Sequence, residues 1–223
     1  MTRLRSIQNL LLLILFLAPL IPAADLSTYR GFQLGMSLSA AVKHSGMTIS
    51  EVTTIHQRPA LIQELVWNPQ RFSGTAGEMD SVQQVVLSFY SGQLFRIVVE
   101  YDNQKTEGLS VHDMIGAVSA RYGTATRPAR ETLLPSASFS EGVSVVACWQ
   151  DRDYSLNLVQ SPYGLKFGLI VFSKHLDGLA ETAIAAGVQL DQQEAPQRQK
   201  IEEQNAQAKL DKARLANRAH FRP

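Results

Sequence analysis

Val82 to Asp102 constrains this chain more than any other stretch, because two runs of β-branched and aromatic residues flank Ser91-Gly92. Val85, Leu87 and Phe89 share one face of the first run, and Phe95, Ile97, Val99 and Tyr101 share one face of the second. Register follows from the turn. A two-residue Ser91-Gly92 loop sets Leu87 opposite Arg96 and turns Arg96 and Glu100 toward the core, against the alternation. A three-residue turn through Tyr90, Ser91 and Gly92, closed by Gly92 in the left-handed region, sets Leu87 opposite Phe95 and Val85 opposite Ile97. That register is the expected one. It leaves Ser88, Arg96, Val98 and Glu100 on an outer face read as solvated.

A hairpin of this kind needs a body to pack on. With 223 residues, 45% hydrophobic and 18% charged, the chain is long enough to bury a core and short enough for one or two domains. Its first residues form an appendage: Arg3 and Arg5 precede an apolar run from Leu10 to Leu17, and small residues follow at Ala23 and Ala24. Residues 1–24 read as a secretory signal peptide, since the run is short of the ~20 residues a bilayer span needs and is followed by Pro19 and Pro22. No stable membrane span is expected after cleavage. Removing Arg3 and Arg5 from 21 basic residues leaves 19 against 20 acidic ones, so the mature chain is near neutral and nothing in it asks for nucleic acid. The single cysteine, Cys148, lies in a β-like run without a basic neighbour and reads as a core thiol.

Two helices carry similar start and stop signals. Ser37 caps a short helix with Leu38 and Val42 on one stripe and Gly46 as its stop; Ser110 caps a longer one, with Asp113 at the third position, a Val111, Ile115, Val118, Tyr122 stripe and Gly123 at the end. Strands are expected at Val52 to His56, Leu61 to Trp67, Val143 to Trp149, Tyr154 to Val159 and Leu165 to Phe172. A four-residue loop from Gln160 to Tyr163 sets Leu158 opposite Leu165 and Leu156 opposite Phe167. Asn68 to Ser81 and Thr124 to Pro135 read as long irregular segments.

Laid side by side, Gly35-Met36-Ser37 matches Gly108-Leu109-Ser110, Trp67 matches Trp149, Leu87 matches Leu158 and Phe95 matches Phe167. The expected fold is α+β: two tandem helix-plus-antiparallel-sheet units over 25–103 and 104–188, packed as one body. Asp177 to Ala186 reads as a last helix stopped by Gly187. Residues 189–223 read as a polar tail, helical or disordered, with seven basic and three acidic residues from Arg198 onward. Ile201, Ala208 and Leu215 recur at seven, but Gln204, Asp211 and Arg218 at the alternate seam positions oppose a coiled coil.

Chemistry is sparse. His44, His56, His112, His175 and His220 form no zinc-hydrolase pairing and none lies beside Cys148, and there is no Gly-x-Ser-x-Gly elbow and no phosphate loop. Asp151-Arg152-Asp153 opens like a calcium loop, but Leu156 and Pro162 stand where a glycine and a glutamate are needed, so it reads as a charged turn. No catalytic residue, metal ligand or cofactor is implied.

The repeated Gly-Met-Ser and Gly-Leu-Ser helix starts, with Val42 and Ile115 behind them and antiparallel strands following, resemble the superfamily of β-lactamase inhibitor proteins and small outer-membrane-assembly lipoproteins. The resemblance covers Tyr29 to Lys174. It implies a non-enzymatic protein binder that uses a sheet surface and loops. This chain lacks the lipidated cysteine of the assembly factors and the disulfides of the inhibitors.

The reading that follows is a secreted or periplasmic protein-binding or envelope-accessory module of a bacterium, with a protein partner in the cell envelope; the sequence sets no oligomeric state. Arg96, Glu100, Trp67 and Trp149 form the candidate partner surface. Two alternatives stand beside it: a small-ligand binder, with its pocket between two sheets or beneath the Asn68 to Ser81 loop, and a hydrolase with a dispersed site using His112 or His56 and distant carboxylates.

Overall fold

The structure is a computed structural model that describes residues 25–69, 80–125, 127–128, 133–134, 143–161 and 166–222. Residues 1–24, read as a signal peptide, most of the Asn68 to Ser81 segment and Leu165 lie outside the described residues.

Period-two alternation builds one continuous antiparallel sheet from both halves of the chain. A small ribbon, β1 (Thr28–Tyr29) with β2 (Phe32–Gln33), precedes helix α1 (Leu38–Ser45). Strands β3 (Thr53–His56), β4 (Ile62–Trp67), β5 (Val82–Tyr90) and β6 (Gln93–Tyr101) follow. One turn of helix, α2 (Asn103–Thr106), and the longer α3 (Val111–Tyr122) lead into β7 (Arg127–Pro128), β8 (Leu133–Leu134), β9 (Val143–Gln150), β10 (Tyr154–Gln160) and β11 (Phe167–Ser173). The chain ends in α4 (Lys174–His220). The nine-stranded sheet runs β3-β4-β5-β6-β11-β10-β9-β7, with β8 also on β9. Its order is therefore mirrored about the β6–β11 pair, where Val98 faces Ile170.

Both helix starts work as their residues dictate. The Ser37 side chain accepts from the Ala40 amide, and α1 ends at Gly46, whose φ of 72° is the left-handed cap. Ser110 and Asp113 cap each other reciprocally. Gly35 and Gly108, two residues ahead of each cap, have φ of 88° and 80°, a conformation glycine adopts without strain. The α3 stripe also contains Met114, buried with Val118 and Tyr122.

The hairpin differs from its expected register for a physical reason. Tyr90 pairs with Gln93, so Ser91-Gly92 is a two-residue loop, and its φ values of 47° and 80° are the positive pair of a type I′ turn. A register shift after Ser88 then leaves Phe95 as an extra residue, and Leu87 faces Ile97 rather than Phe95 or Arg96. The bulge resolves the conflict between turn and alternation. Leu94 enters the main core while Phe95 goes to the opposite face with Ile62 and Ala180. In the second hairpin Leu156 faces Val171 rather than Phe167, and Leu158 faces Leu169, because the connection spans residues 161–166.

One face of the sheet forms the main core with α1, α3 and the β1–β2 ribbon. The other face is not wet: Val98 is 2% exposed, Ser88 is 5% exposed, and Val86, Val98, Val159 and Ile170 form a second apolar cluster. Over its β4–β6 side lies the first half of α4, with Leu176, Ala180 and Ile184 against Ile62, Phe95 and Tyr90. Gly187 does not stop this helix. A Cβ there would stand 3.0 Å from the Arg58 carbonyl oxygen, so the glycine is a point of close approach, and α4 continues through Pro196 to His220.

Candidate functional site

The residues read as a partner surface are not brought together. Trp149 is 1% exposed, and its indole N–H donates to the Gly123 carbonyl at 2.6 Å. It is a core residue. Trp67 is half-buried, edge-on to Phe32 with centroids 5.2 Å apart, and its buried Nε1 finds no acceptor among the described residues. Arg96 is covered by α4, donating to Asp177 at 2.7 Å and to Glu181 at 3.2 Å. Glu100, across from Gly168 on the outer face, is half-buried, with Oε1 shielded from solvent. Strand alternation identified the faces, but it carried no sign of the helix that covers one of them.

The histidines also stand apart. His44 packs edge-on to Phe32 and bonds the Arg30 carbonyl, His56 lies beside Gly187 of α4, and His112, His175 and His220 are exposed. Among the described residues no three His, Cys, Asp or Glu side chains are grouped to hold a metal ion. Asp151 Oδ1 accepts from the Asp153 and Tyr154 amides, which makes its segment a capped turn.

Two features do gather polar chemistry. The first is the path of α4. Arg96 holds Asp177 in its first turn, and Arg58 holds Glu194 five turns later, with one bond of 2.8 Å and Asp191 at 3.6 Å. Burial raises the Asp177 pKa despite the opposing pull of the Arg96 guanidinium. Beyond Ala195 every described residue of the helix is exposed, including Ile201, Leu210 and Leu215. At 1.5 Å per residue, Pro196 to His220 extends about 37 Å past the last residue that pairs with the sheet side of the molecule, Glu194, and its one ion pair among the described residues, Arg198 with Asp191, lies within the helix. No described helix is long and apolar enough to cross a membrane.

The second is a cleft of about 300 Å³ between α3, the β1–β2 turn and the ends of β5, β6 and β11. Arg30, Lys105 and Arg121 line it, as do Tyr29, Tyr101 and Tyr122. Asp80 takes the Arg30 guanidinium in a two-pronged bond of 2.5 and 2.8 Å, and this pairing holds the Asp80 carboxyl below its usual range. Lys105 and Arg121 have no carboxylate within ion-pair reach among the described residues. Burial pushes the Tyr29 phenol up to about 12, the Arg30 charge pulling weakly the other way, and burial raises Tyr101 and Tyr122 as well. All three phenols therefore remain neutral donors near pH 7. Tyr122 donates to the Thr28 carbonyl at 3.2 Å, whereas the Tyr101 hydroxyl has no acceptor among the described residues. A second depression, of about 350 Å³, shares Thr106 and Leu109 with the first and reaches Phe167.

These six polar residues come from positions 29 to 122, and no local motif links them. Ser81 at the rim is the end of the loop beneath which a pocket was expected. No protein-family model matches the chain, and no curated protein or solved structure matches it.

Proposed function

We propose that this chain is a secreted or periplasmic, non-catalytic protein-binding module whose partner engages the free end of α4. The observation that carries the reading is a helix fixed at one end and bare at the other. Helices in proteins draw most of their stability from packing, and the Pro196 to His220 segment has none among the described residues. Exposed Ile201 and Leu215, fourteen positions apart and so within about 40° of each other around the helix, are side chains a partner groove would bury, with Leu210 on the opposite side. Seven basic and three acidic residues from Arg198 onward favour an acidic rim around that groove. Secretion rests on the arginine-led apolar run of residues 1–24.

The scaffold reads as a duplicated unit, in keeping with the resemblance to the inhibitor and assembly-factor superfamily. Three pairings support this: Trp67 faces Val85 as Trp149 faces Leu156, and Leu65 faces Leu87 as Ala147 faces Leu158. Leu87 faces Ile97 as Leu158 faces Leu169. The left-handed Gly35 and Gly108 ahead of serine caps repeat in the same places.

The test compares the full chain with one ending at Ala195. Both should melt at the same temperature, and only the full chain should retain a discrete partner from envelope extracts, with retention falling as salt is raised. Equal retention by the shortened chain would remove α4 from the interface.

A further inference from the structure

The cleft between α3 and the β1–β2 turn opens at the edge of the main core, away from the proposed partner surface. Its chemistry is two-sided. Leu109, Met114, Val118 and Leu169 give it apolar walls, while Lys105 and Arg121 bring charge that no described carboxylate balances. Arg30 is already balanced by Asp80, so the surplus in the cleft is positive. Tyr101 adds a phenolic donor that has no acceptor among the described residues and is open to water or a ligand. Apolar walls with a few convergent polar groups are the common form of a small-molecule site, and about 300 Å³ is at the small end of the range.

We propose that this cleft binds a small amphiphilic anion, a carboxylate or phosphate monoester on a short apolar body. Arg121 and Lys105 flank the anionic head, the Tyr101 hydroxyl donates to it, and the apolar body lies against Met114 and Leu169. Arg30 serves the frame instead, since its bond to Asp80 fixes the rim formed by the β1–β2 turn and the start of β5. The neutral phenols suit a head of this charge, because a phenolate beside it would repel it.

The experiment uses the full secreted chain with its methionine methyls labelled for NMR, titrated with octanoate, octyl phosphate, octanol and acetate. Octanoate or octyl phosphate should shift the Met114 methyl in a saturable way, and the stronger of the two identifies the head group. Octanol and acetate, each lacking one half of the chemistry, should bind at least about tenfold more weakly. Arg121→Gln should weaken the preferred anion by about tenfold, the loss of one charge-assisted bond. Tyr101→Phe keeps the packed ring and should weaken it by several-fold, so the test survives if Arg121→Gln fails to fold. Lys209→Gln, on the far arm of α4, should change nothing. Octanol binding as tightly as the anions, or no Met114 response to either anion, would overturn the proposal.

Discussion

Arg96 on β6 and Asp177 in the first turn of α4 meet at 2.6 Å, with Asp177 only 6% exposed. This pair fixes where the helix begins its path across the sheet. Removing one partner strands the other: Arg96→Met leaves a buried, unpaired carboxylate. Breaking a fully buried pair costs about 3–5 kcal/mol, and because the Arg96 side chain is 22% exposed we expect about 2 kcal/mol. The double variant Arg96→Met/Asp177→Leu should recover most of that loss. Urea denaturation of the three proteins checks it, and strictly additive losses would show that the two residues do not act as a pair.

The same region sets the sign of a pH effect. The folded pKa of Asp177 is raised, so its contribution is fully present below the unfolded value of 3.8 and is lost as pH rises through the folded value. Asp80 is lowered, so its contribution is present above 3.8 and is lost as pH falls through its folded value. Asp80→Asn should flatten the loss of stability on acidification below about pH 4, and Asp177→Asn should flatten the opposite slope above it. Melting temperatures across pH 2 to 7 separate the two.

Two glycines of α4 should respond in opposite directions to alanine. A Cβ at Gly178 meets nothing within 4 Å, so Gly178→Ala should stabilise by up to about 1 kcal/mol through helix propensity. At Gly187 it meets a backbone carbonyl at 3.0 Å, and the carbonyl cannot swing away as a side chain would. Gly187→Ala should therefore lose stability. A gain at both sites would mean that α4 does not lie against Arg58.

The two tryptophans make a second contrast. Trp149→Phe removes a bond to Gly123 inside the core, whereas Trp67→Phe removes an N–H that has no acceptor among the described residues. The first should cost about 1–2 kcal/mol more than the second. Equal costs would place an acceptor beside Trp67.

What the sequence revealed follows the range of each interaction. Caps at Ser37 and Ser110 act within three residues, and the alternation of Val85, Leu87 and Phe89 within five, so both were legible. The Phe95 bulge was not, since it reconciles a two-residue turn with the strand alternation and moves Phe95 off the face it was expected to share with Ile97, Val99 and Tyr101. Gly187 looked like a stop because its reason, the Arg58 carbonyl, lies 129 positions earlier. Trp149 carries the same alternation as a surface aromatic and was separated from one only by its burial. The cleft joins Arg30, Tyr101, Lys105 and Arg121 through the fold alone, so no spacing in the chain announces it.

The most direct test of the account places a photo-reactive residue at Leu215 on the arm and, separately, at His112 on the exposed face of α3. After irradiation in whole cells, the Leu215 chain should give one discrete adduct that fades with added salt, and the His112 chain should give none. No adduct from Leu215, or the same adduct from both positions, would contradict the assignment of α4 as the partner-binding arm.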